Sequence, residues 1–192
     1  MKKAFAGFLV VVLLVGCAHG GGKPCPAWFD NPPKDPNFMF ATATGLSKDL
    51  QLAINKAKAE ARAELAAQVE TQVMSLFKKF NEEVGNPQEP EFLQMVTDVK
   101  KLVVDQTLYG SRIAKQHTAK EGDAWRACVL MEVSFNDMKM AMMDQIKKQE
   151  ALYTRWRASQ AFKELEEEVE KLREYKEKEI KGMQEMEKKE EE

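Results

Sequence analysis

The chain has 192 residues and a formal net charge of −2, from 29 basic and 31 acidic side chains. Apolar residues make up 44% of it and charged residues 31%, which is typical of a globular protein. The length allows one domain of ordinary size with an extension. The near-balance of charge, without a basic groove or an interleaved aromatic platform, argues against nucleic acid as a partner.

Residues 1–16 have the layout of a secretory signal peptide. Lys2 and Lys3 form a charged start, residues 4–15 are apolar, and Gly16 is the small residue that a signal peptidase requires. An apolar run of about a dozen residues is too short to cross a hydrocarbon core of roughly 30 Å. The segment is therefore predicted to be a signal peptide and not a transmembrane helix.

The signal ends in Leu14-Val15-Gly16-Cys17, which resembles the lipobox of bacterial lipoproteins at all four positions. The resemblance implies a mature chain that begins at Cys17 and bears a covalent diacylglycerol and a fatty acid there. Several acyl chains anchor a protein stably, whereas one alone binds reversibly. Ala18 stands where an aspartate would favour the inner membrane, so the outer membrane is favoured. The alternative is an ordinary secretory signal with a coincidental cysteine.

Residues 17–26 are predicted to be a tether between lipid and domain, because three consecutive glycines and two prolines prevent regular structure. Cys25 lies in this tether, and Cys128 lies in a β-like run. An oxidising envelope would permit a disulfide bond between them. Sequence does not show whether their Cα atoms approach within about 7 Å, so two separate thiols are the alternative. Trp28 and Phe29 follow the tether and are interpreted as a lid over an edge of the core.

Alternating small and bulky residues from Phe38 to Thr44 predict a short strand. Ser47 is a candidate cap for the long helix that follows, which ends at residues 85–87 in Gly-Asn-Pro. The helix has an apolar stripe at spacings of three and four, formed by Ile54, Ala57, Ala61, Leu65, Val69, Val73, Leu76 and Phe80. The alanines of this stripe would allow another surface to approach closely.

A second, shorter helix is predicted from Phe92 to Val104, where apolar residues repeat at helical spacing. Two strands then follow, at residues 107–118 and 124–134, and they flank Glu121-Gly122-Asp123. A glycine turn between two alternating runs indicates a hairpin. The predicted order of elements up to this point is β-α-α-β-β.

The segment from Asp137 towards Met186 contains no proline and is predicted to be one long helix, beginning at Asn136. Some of its apolar residues recur at the three-four spacing of a coiled coil, although Lys176 and Glu179 interrupt the pattern. Four of these positions are predicted to bind a partner or a second copy: Phe162, Leu165, Val169 and Leu172. The alternative is a solvated single helix supported by Glu/Lys pairs.

Motifs for catalysis or metal binding are absent from the sequence. His19 and His117 do not have the spacing of a zinc site, and no nucleophile elbow, Ser-x-x-Lys motif or phosphate-binding loop occurs. We expect no enzymatic activity, no metal and no cofactor apart from the lipid on Cys17. Two alternatives stay open. One is a carrier of an apolar ligand, lined by methionines such as Met138, Met140, Met142 and Met143. The other is an envelope hydrolase or its accessory factor, in which His117 or an acidic residue near it would act as the base.

Two blocks of the sequence resemble the twenty-kilodalton membrane-associated lipoprotein family. The first is Pro26-Ala27-Trp28 with Asn31-Pro32-Pro33, and the second begins at Ala43-Thr44-Gly45-Leu46-Ser47 and continues into the helix of Ala61-Arg62-Ala63-Glu64-Leu65-Ala66. The likeness covers roughly Pro26 to Val133. It implies an envelope lipoprotein with a small antiparallel sheet packed on a long helix, related to a domain of flagellar assembly factors, and it brings no catalytic motif.

The expected fold is therefore α+β, with a three-stranded antiparallel sheet on a long helix and a long C-terminal helix of possible coiled-coil character. The expected divisions are a signal peptide (1–16), a lipidated tether (17–26), an α+β domain (27–136) and a charged C-terminal helix (137–192). We expect a scaffold held on the envelope membrane by its lipid, with an envelope protein or a second copy as partner, and with a role in envelope or flagellar assembly.

Overall fold

The computed structural model describes residues 24–190. Its elements are α1 (Ala27–Asp30), β1 (Phe38–Ser47), α2 (Leu50–Val84), α3 (Pro90–Tyr109), β2 (Arg112–Glu121), β3 (Ala124–Ser134), α4 (Phe135–Lys147), α5 (Glu150–Trp156) and α6 (Gln160–Glu190). The three strands form one antiparallel sheet in the order β1-β3-β2. The predicted α+β fold is confirmed, with the long helix after the first strand and a long helix at the C-terminal end.

The sheet has β3 at its centre because this strand has the most apolar sequence. Its residues alternate between two covered faces: Ala127, Val129, Met131 and Val133 belong to the main core, whereas Cys128 and Leu130 are buried on the opposite face. We call these the helix face and the outer face of the sheet. The predicted hairpin joins β2 to β3 through Gly122, whose φ of 57° suits the first position of a two-residue turn.

Helix α2 lies against the helix face at very short range. Ala53, Ala57 and Ala61 are fully buried there. A Cβ atom added to Gly45 of β1 would lie 2.1 Å from the carbonyl oxygen of Ala53, so the two backbones are in direct contact. The close approach expected from the alanine stripe is thus present. Ile54 and Leu76 lie only half-buried at the margin, and Ala53 and Phe77 fill the central positions.

The first turn of α2 is capped two residues later than the sequence predicts. The Asp49 carboxylate accepts a hydrogen bond from the backbone N–H of Leu52 at 2.6 Å, so Asp49 is the N-cap. Ser47 is still in β1, and its hydroxyl accepts a hydrogen bond from the N–H of Asp49 at 3.2 Å. Gly85 ends the helix as expected, with φ of 91°.

Helix α3 is longer than predicted, and β2 correspondingly begins at Arg112 and not at Thr107. Thr107 resembles a strand residue, but its hydroxyl donates to the carbonyl oxygen of Val103 at 2.6 Å and the residue is buried. This bond within the helix satisfies the polar group and lets a β-branched residue stay in the last turn of α3.

The prediction of one continuous helix from residue 137 is wrong, since the segment folds into α4, α5 and α6. Ser134, and not Asn136, caps α4 by accepting a hydrogen bond from the N–H of Asp137 at 3.1 Å. All three helices contribute buried side chains to the same core as the sheet, including Met138, Leu152 and Phe162. The C-terminal segment is therefore not a separate helix beside a finished domain.

An aromatic cluster at the C-terminal half of α2 joins the remaining helices to it. Trp156 stacks on Phe77 with ring centroids 4.9 Å apart, and it meets Phe92 edge-on at 5.9 Å. Its indole N–H donates to Asn81 Oδ1 at 2.8 Å, so the buried ring has its one donor satisfied. Phe162 of α6 contacts Phe80 at 5.4 Å. The cluster thereby connects α2, α3, α5 and α6.

The first turn of α6 is capped by a carboxylate from α2. Glu83 accepts hydrogen bonds from the backbone N–H groups of Gln160 and Ala161. A hydrogen bond with the Ser159 hydroxyl, followed by these backbone bonds, lowers the pKa of Glu83 below its ordinary value. An ionised carboxylate at a helix N-terminus is favoured, because it satisfies free N–H groups and faces the positive end of the helix dipole.

Gly45→Ala should lower the free energy of unfolding by about 3 kcal/mol, the upper end for overpacking, because the new methyl group would meet backbone and not a flexible side chain. Urea unfolding followed by circular dichroism measures the change. Gly182→Ala is the matched control, since nothing lies within 4 Å of that site and alanine favours a helix there. Equal stabilities for the two variants would contradict the close contact.

Glu83→Gln should make wild type and variant differ in stability in a pH-dependent way. The folded-state pKa of Glu83 is lowered, so its contribution is complete above its ordinary pKa of 4.5 and disappears as the pH falls through the lower folded value. Thermal unfolding at several pH values between neutral and acidic measures the difference in stability between wild type and variant. Glu82→Gln, which removes an exposed carboxylate 3.7 Å from Lys78, is the control. A stability difference between wild type and Glu83→Gln that does not change with pH would be inconsistent with the cap.

Candidate functional site

A disulfide bond joins Cys25 to Cys128, whose Cα atoms lie 5.8 Å apart across a sequence separation of 103 residues. Closing so long a loop stabilises a fold by roughly 4–5 kcal/mol in the chain-entropy model. Cys128 lies in the middle of the central strand and faces the outer side of the sheet. The bond therefore attaches the start of the described chain to the centre of the sheet. The alternative of two separate thiols, which the sequence left open, does not apply to this structure.

The N-terminal strap, which we define as residues 24–37, continues from this bond along the outer face. Its short helix α1 packs on β3, and Trp28 and Phe29 are half-buried with ring centroids 6.3 Å apart. At the far end of the strap, the carbonyl oxygen of Asn37 accepts a hydrogen bond from the N–H of Phe135 at 2.8 Å. Trp28 and Phe29 thus lie over the outer face of the sheet. Cys17, the predicted lipid attachment site, lies outside the described residues, as does His19.

Two ion pairs lie on the outer face of the sheet. Arg126 makes two hydrogen bonds to the Glu121 carboxylate, at 2.6 and 2.8 Å, and Arg112 binds Glu132 at 2.7 Å. The hydrogen bonds from Arg126 lower the pKa of Glu121, and the same bonds raise the pKa of Arg126. His117 lies opposite Cys128 in the register and is exposed on the edge strand β2. That exposure does not provide the enclosed surroundings of a general base.

A cleft of about 550 Å³ opens where the start of β1, the end of β3, the start of α4 and the middle of α6 meet. Its lining includes Phe38, Leu172 and Tyr175 together with two ion pairs. One pair is Arg112 with Glu132, and the other is Lys176 with Asp137 at 2.7 Å. Lys176 interrupts the apolar pattern of α6 because it reaches this carboxylate of α4. The cleft is open and charged, unlike a cavity for an apolar ligand.

The methionines that suggested a carrier belong mainly to the core. Met138, Met142 and Met143 of α4 are at most 1% exposed, and Met140 lies half-buried against the same cluster. Their flexible side chains fill space between α4 and its neighbours. They therefore serve packing in this structure and do not line the open cleft described above.

The prediction that Phe162, Leu165 and Val169 bind a partner is wrong, because the chain itself covers them, whereas for Leu172 it stays a prediction. The first three are at most 4% exposed within the main core, and Leu172 is half-buried in the wall of the cleft. Ion pairs between α6 and α4 border this contact, including Lys147 with Glu166 at 2.6 Å. A three-four apolar pattern is satisfied equally by a second chain or by neighbouring helices of the same chain.

Beyond Lys176 the apolar side chains of α6 are exposed. We define the C-terminal arm as residues 177–190, about 21 Å of helix at 1.5 Å per residue. Ile180, Met183 and Met186 of the arm are 50%, 51% and 62% exposed, and Tyr175 at its base is 65% exposed. Helical spacing places Ile180 and Met183 on the same side of α6 as the buried residues before them, with Met186 at the edge of that side and Tyr175 outside it. The sequence pattern identified Met183 and Met186 but not Tyr175 and Ile180.

No helix within residues 24–190 is long and apolar enough to cross a membrane. Across the same part of the chain, no cluster of three or more His, Cys, Asp or Glu side chains has an arrangement suited to a metal ion.

The strap, the sheet and helices α2 and α3 coincide with the region that the sequence comparison identifies. A family model for the LPP20 lipoprotein matches residues 26–134, which is more than half of the chain. A comparison with curated proteins finds no match. The match ends at the last residue of β3, so α4, α5 and α6 lie outside it. The chain belongs to the LPP20 lipoprotein family.

Proposed function

We propose that this protein is a lipid-anchored scaffold of the bacterial envelope that binds a partner through its C-terminal arm and has no enzymatic activity. The family supports an envelope lipoprotein. The lipobox at Leu14–Cys17 supports a diacylglycerol and a fatty acid on Cys17 as the anchor. Ala18 in place of aspartate supports the outer membrane as the destination.

One observation gives most support to a binding role: the apolar side of α6 continues past the end of the domain. Up to Val169 this side is buried by the chain itself, and at Ile180 and Met183 it is exposed. A helix that presents apolar residues at regular spacing to water is a common surface for helix-in-groove or helix-pair recognition. The partner is either a second copy of this chain or another envelope protein.

The rigid attachment of α6 suits such a role. The aromatic cluster holds its first turns, and the ion pair of Lys176 with Asp137 holds its middle. A partner that contacts the arm would therefore be held in a defined position relative to the domain, because little ordering of the helix base is needed on binding.

The test is site-specific photo-crosslinking on intact cells, with the photoreactive amino acid p-benzoylphenylalanine in place of Met183. A partner bound to the C-terminal arm should give a discrete crosslinked species, since Met183 lies in the exposed apolar stripe. A species of twice the chain mass indicates a second copy, and any other discrete mass indicates an unlike envelope protein. The mass is read from a denaturing gel and by mass spectrometry.

Lys178 is the matched control position, because it lies on the same arm but about half a turn away from Met183. The same probe at Lys178 should give little of the crosslinked species. Adding Ile180→Glu should remove the Met183 product while the folded core, which contains none of these residues, stays intact. Equal products from both positions, or none from Met183, would contradict a partner-binding arm.

A further inference from the structure

An exposed group of leucines lies at the turn between β1 and α2. Leu46, Leu50 and Leu52 are 46%, 36% and 48% exposed. We call residues 46–52 the leucine turn. It is held in one conformation, because Asp49 caps α2 and the Lys56 ammonium donates to the carbonyl oxygen of Leu46 at 3.3 Å. These leucines are therefore presented to water by an ordered backbone.

The leucine turn shares one end of the sheet with the β2-β3 hairpin. Ser47 pairs with Trp125, which is half-buried, and the Lys120 ammonium lies 5.9 Å from the centre of that indole ring. The Trp125 ring packs partly against the core on the helix face, and lysine beside exposed leucines is a residue type that reaches the boundary between lipid and water with its charged end.

Formal charges around the leucine turn nearly cancel. Lys48, Lys56 and Lys120 lie beside Asp49 of the cap and Asp123 of the hairpin turn, while Glu121 and Arg126 neutralise each other. Attraction to anionic headgroups is therefore not the main force expected at this surface. Contact between leucine side chains and the apolar boundary of a bilayer is the interaction that the residues favour.

The disulfide bond limits how far this end can lie from the lipid anchor. Leu46 pairs with Arg126, which is two residues from Cys128, about 7 Å along the strand. Cys25 is bonded to Cys128, and only eight residue steps separate Cys25 from Cys17. At no more than about 3.6 Å per residue, those steps span at most about 29 Å. The leucine turn is thus within reach of the bilayer surface that holds the lipid.

We propose that the leucine turn is a second membrane contact, which inserts Leu46, Leu50 and Leu52 into the interface of the bilayer that holds the lipid anchor. This inference rests on the proposed attachment of lipid to Cys17. The anchor keeps the local concentration of membrane high, so a contact too weak to bind the chain by itself still orients the anchored domain. At the opposite end of the sheet, the cleft beside α6 is lined by the ion pairs of Arg112 with Glu132 and of Lys176 with Asp137, which favour contact with water.

The test uses the full lipidated chain in vesicles of phosphatidylethanolamine and phosphatidylglycerol, with a nitroxide spin label on Leu52→Cys. Cys25 and Cys128 are bonded to each other, so the introduced thiol is the one that reacts. Oxygen concentrates in the bilayer, whereas a nickel chelate stays in water. Power saturation measures how often the spin label collides with each of these two reagents. The label at residue 52 should be several-fold more accessible to oxygen than to the chelate.

Leu102→Cys is the matched control, because Leu102 on α3 is also 48% exposed in the described structure. Its label should favour the chelate, and a label on Leu46→Cys should behave like that on Leu52→Cys. If the protein floats with the vesicles but the labels at residues 52 and 102 are equally accessible to the chelate, the leucine turn is not a membrane contact. If the chain does not float with vesicles at all, the proposed lipid anchor fails instead.

Discussion

The disulfide bond between Cys25 and Cys128 is the constraint that gives this protein a defined relation to a membrane. It attaches the chain to the central strand only eight residues after the predicted lipid site at Cys17. Without this bond, the packing of α1 on β3 and the hydrogen bond at Asn37 would have to hold the strap to the sheet. With lipid on Cys17, as proposed, so short a tether would keep the domain close to the bilayer and limit which of its surfaces can meet a partner.

Helix α2 connects the sheet to the helices of the C-terminal segment. Its N-terminal half is in backbone contact with the sheet at Gly45, and its C-terminal half forms the aromatic cluster around Trp156. The Glu83 carboxylate then caps α6. The region matched by the family and the helices beyond it therefore share one core, and the C-terminal arm is a continuation of that core. An apolar surface held on so rigid a base is suited to binding with little loss of conformational freedom.

Local patterns in the sequence predicted the elements whose partners are close along the chain. The β2-β3 hairpin and the end of α2 at Gly85 follow from turn residues, and the close approach of the sheet follows from the alanines of α2. Sequence patterns gave a wrong prediction where the residues that contact each other are far apart along the chain. The apolar spacing around Phe162 is the same whether a second chain or α2 covers it.

The sequence indicated which kinds of residue to consider for the candidate site, but not how these residues are placed relative to one another. The lipobox predicts a lipid site at Cys17, which lies outside the described residues, and the absence of catalytic motifs from the sequence directs attention to surfaces. The pairing of Cys25 with Cys128 depends on 103 intervening residues, and the exposure of Ile180 depends on where the neighbouring helices end. Neither quantity is encoded in a short window of sequence.

The central claim is that a lipid on Cys17 and the nearby disulfide bond together hold the domain at the envelope membrane. The intact mass of the protein purified from membranes, without reducing agent, tests both parts directly. We expect a chain that begins at Cys17, with the added mass of a diacylglycerol and a fatty acid, less the hydrogens lost on joining Cys25 to Cys128. A chain without added lipid mass, or one that gains those hydrogens as free thiols, would contradict the account.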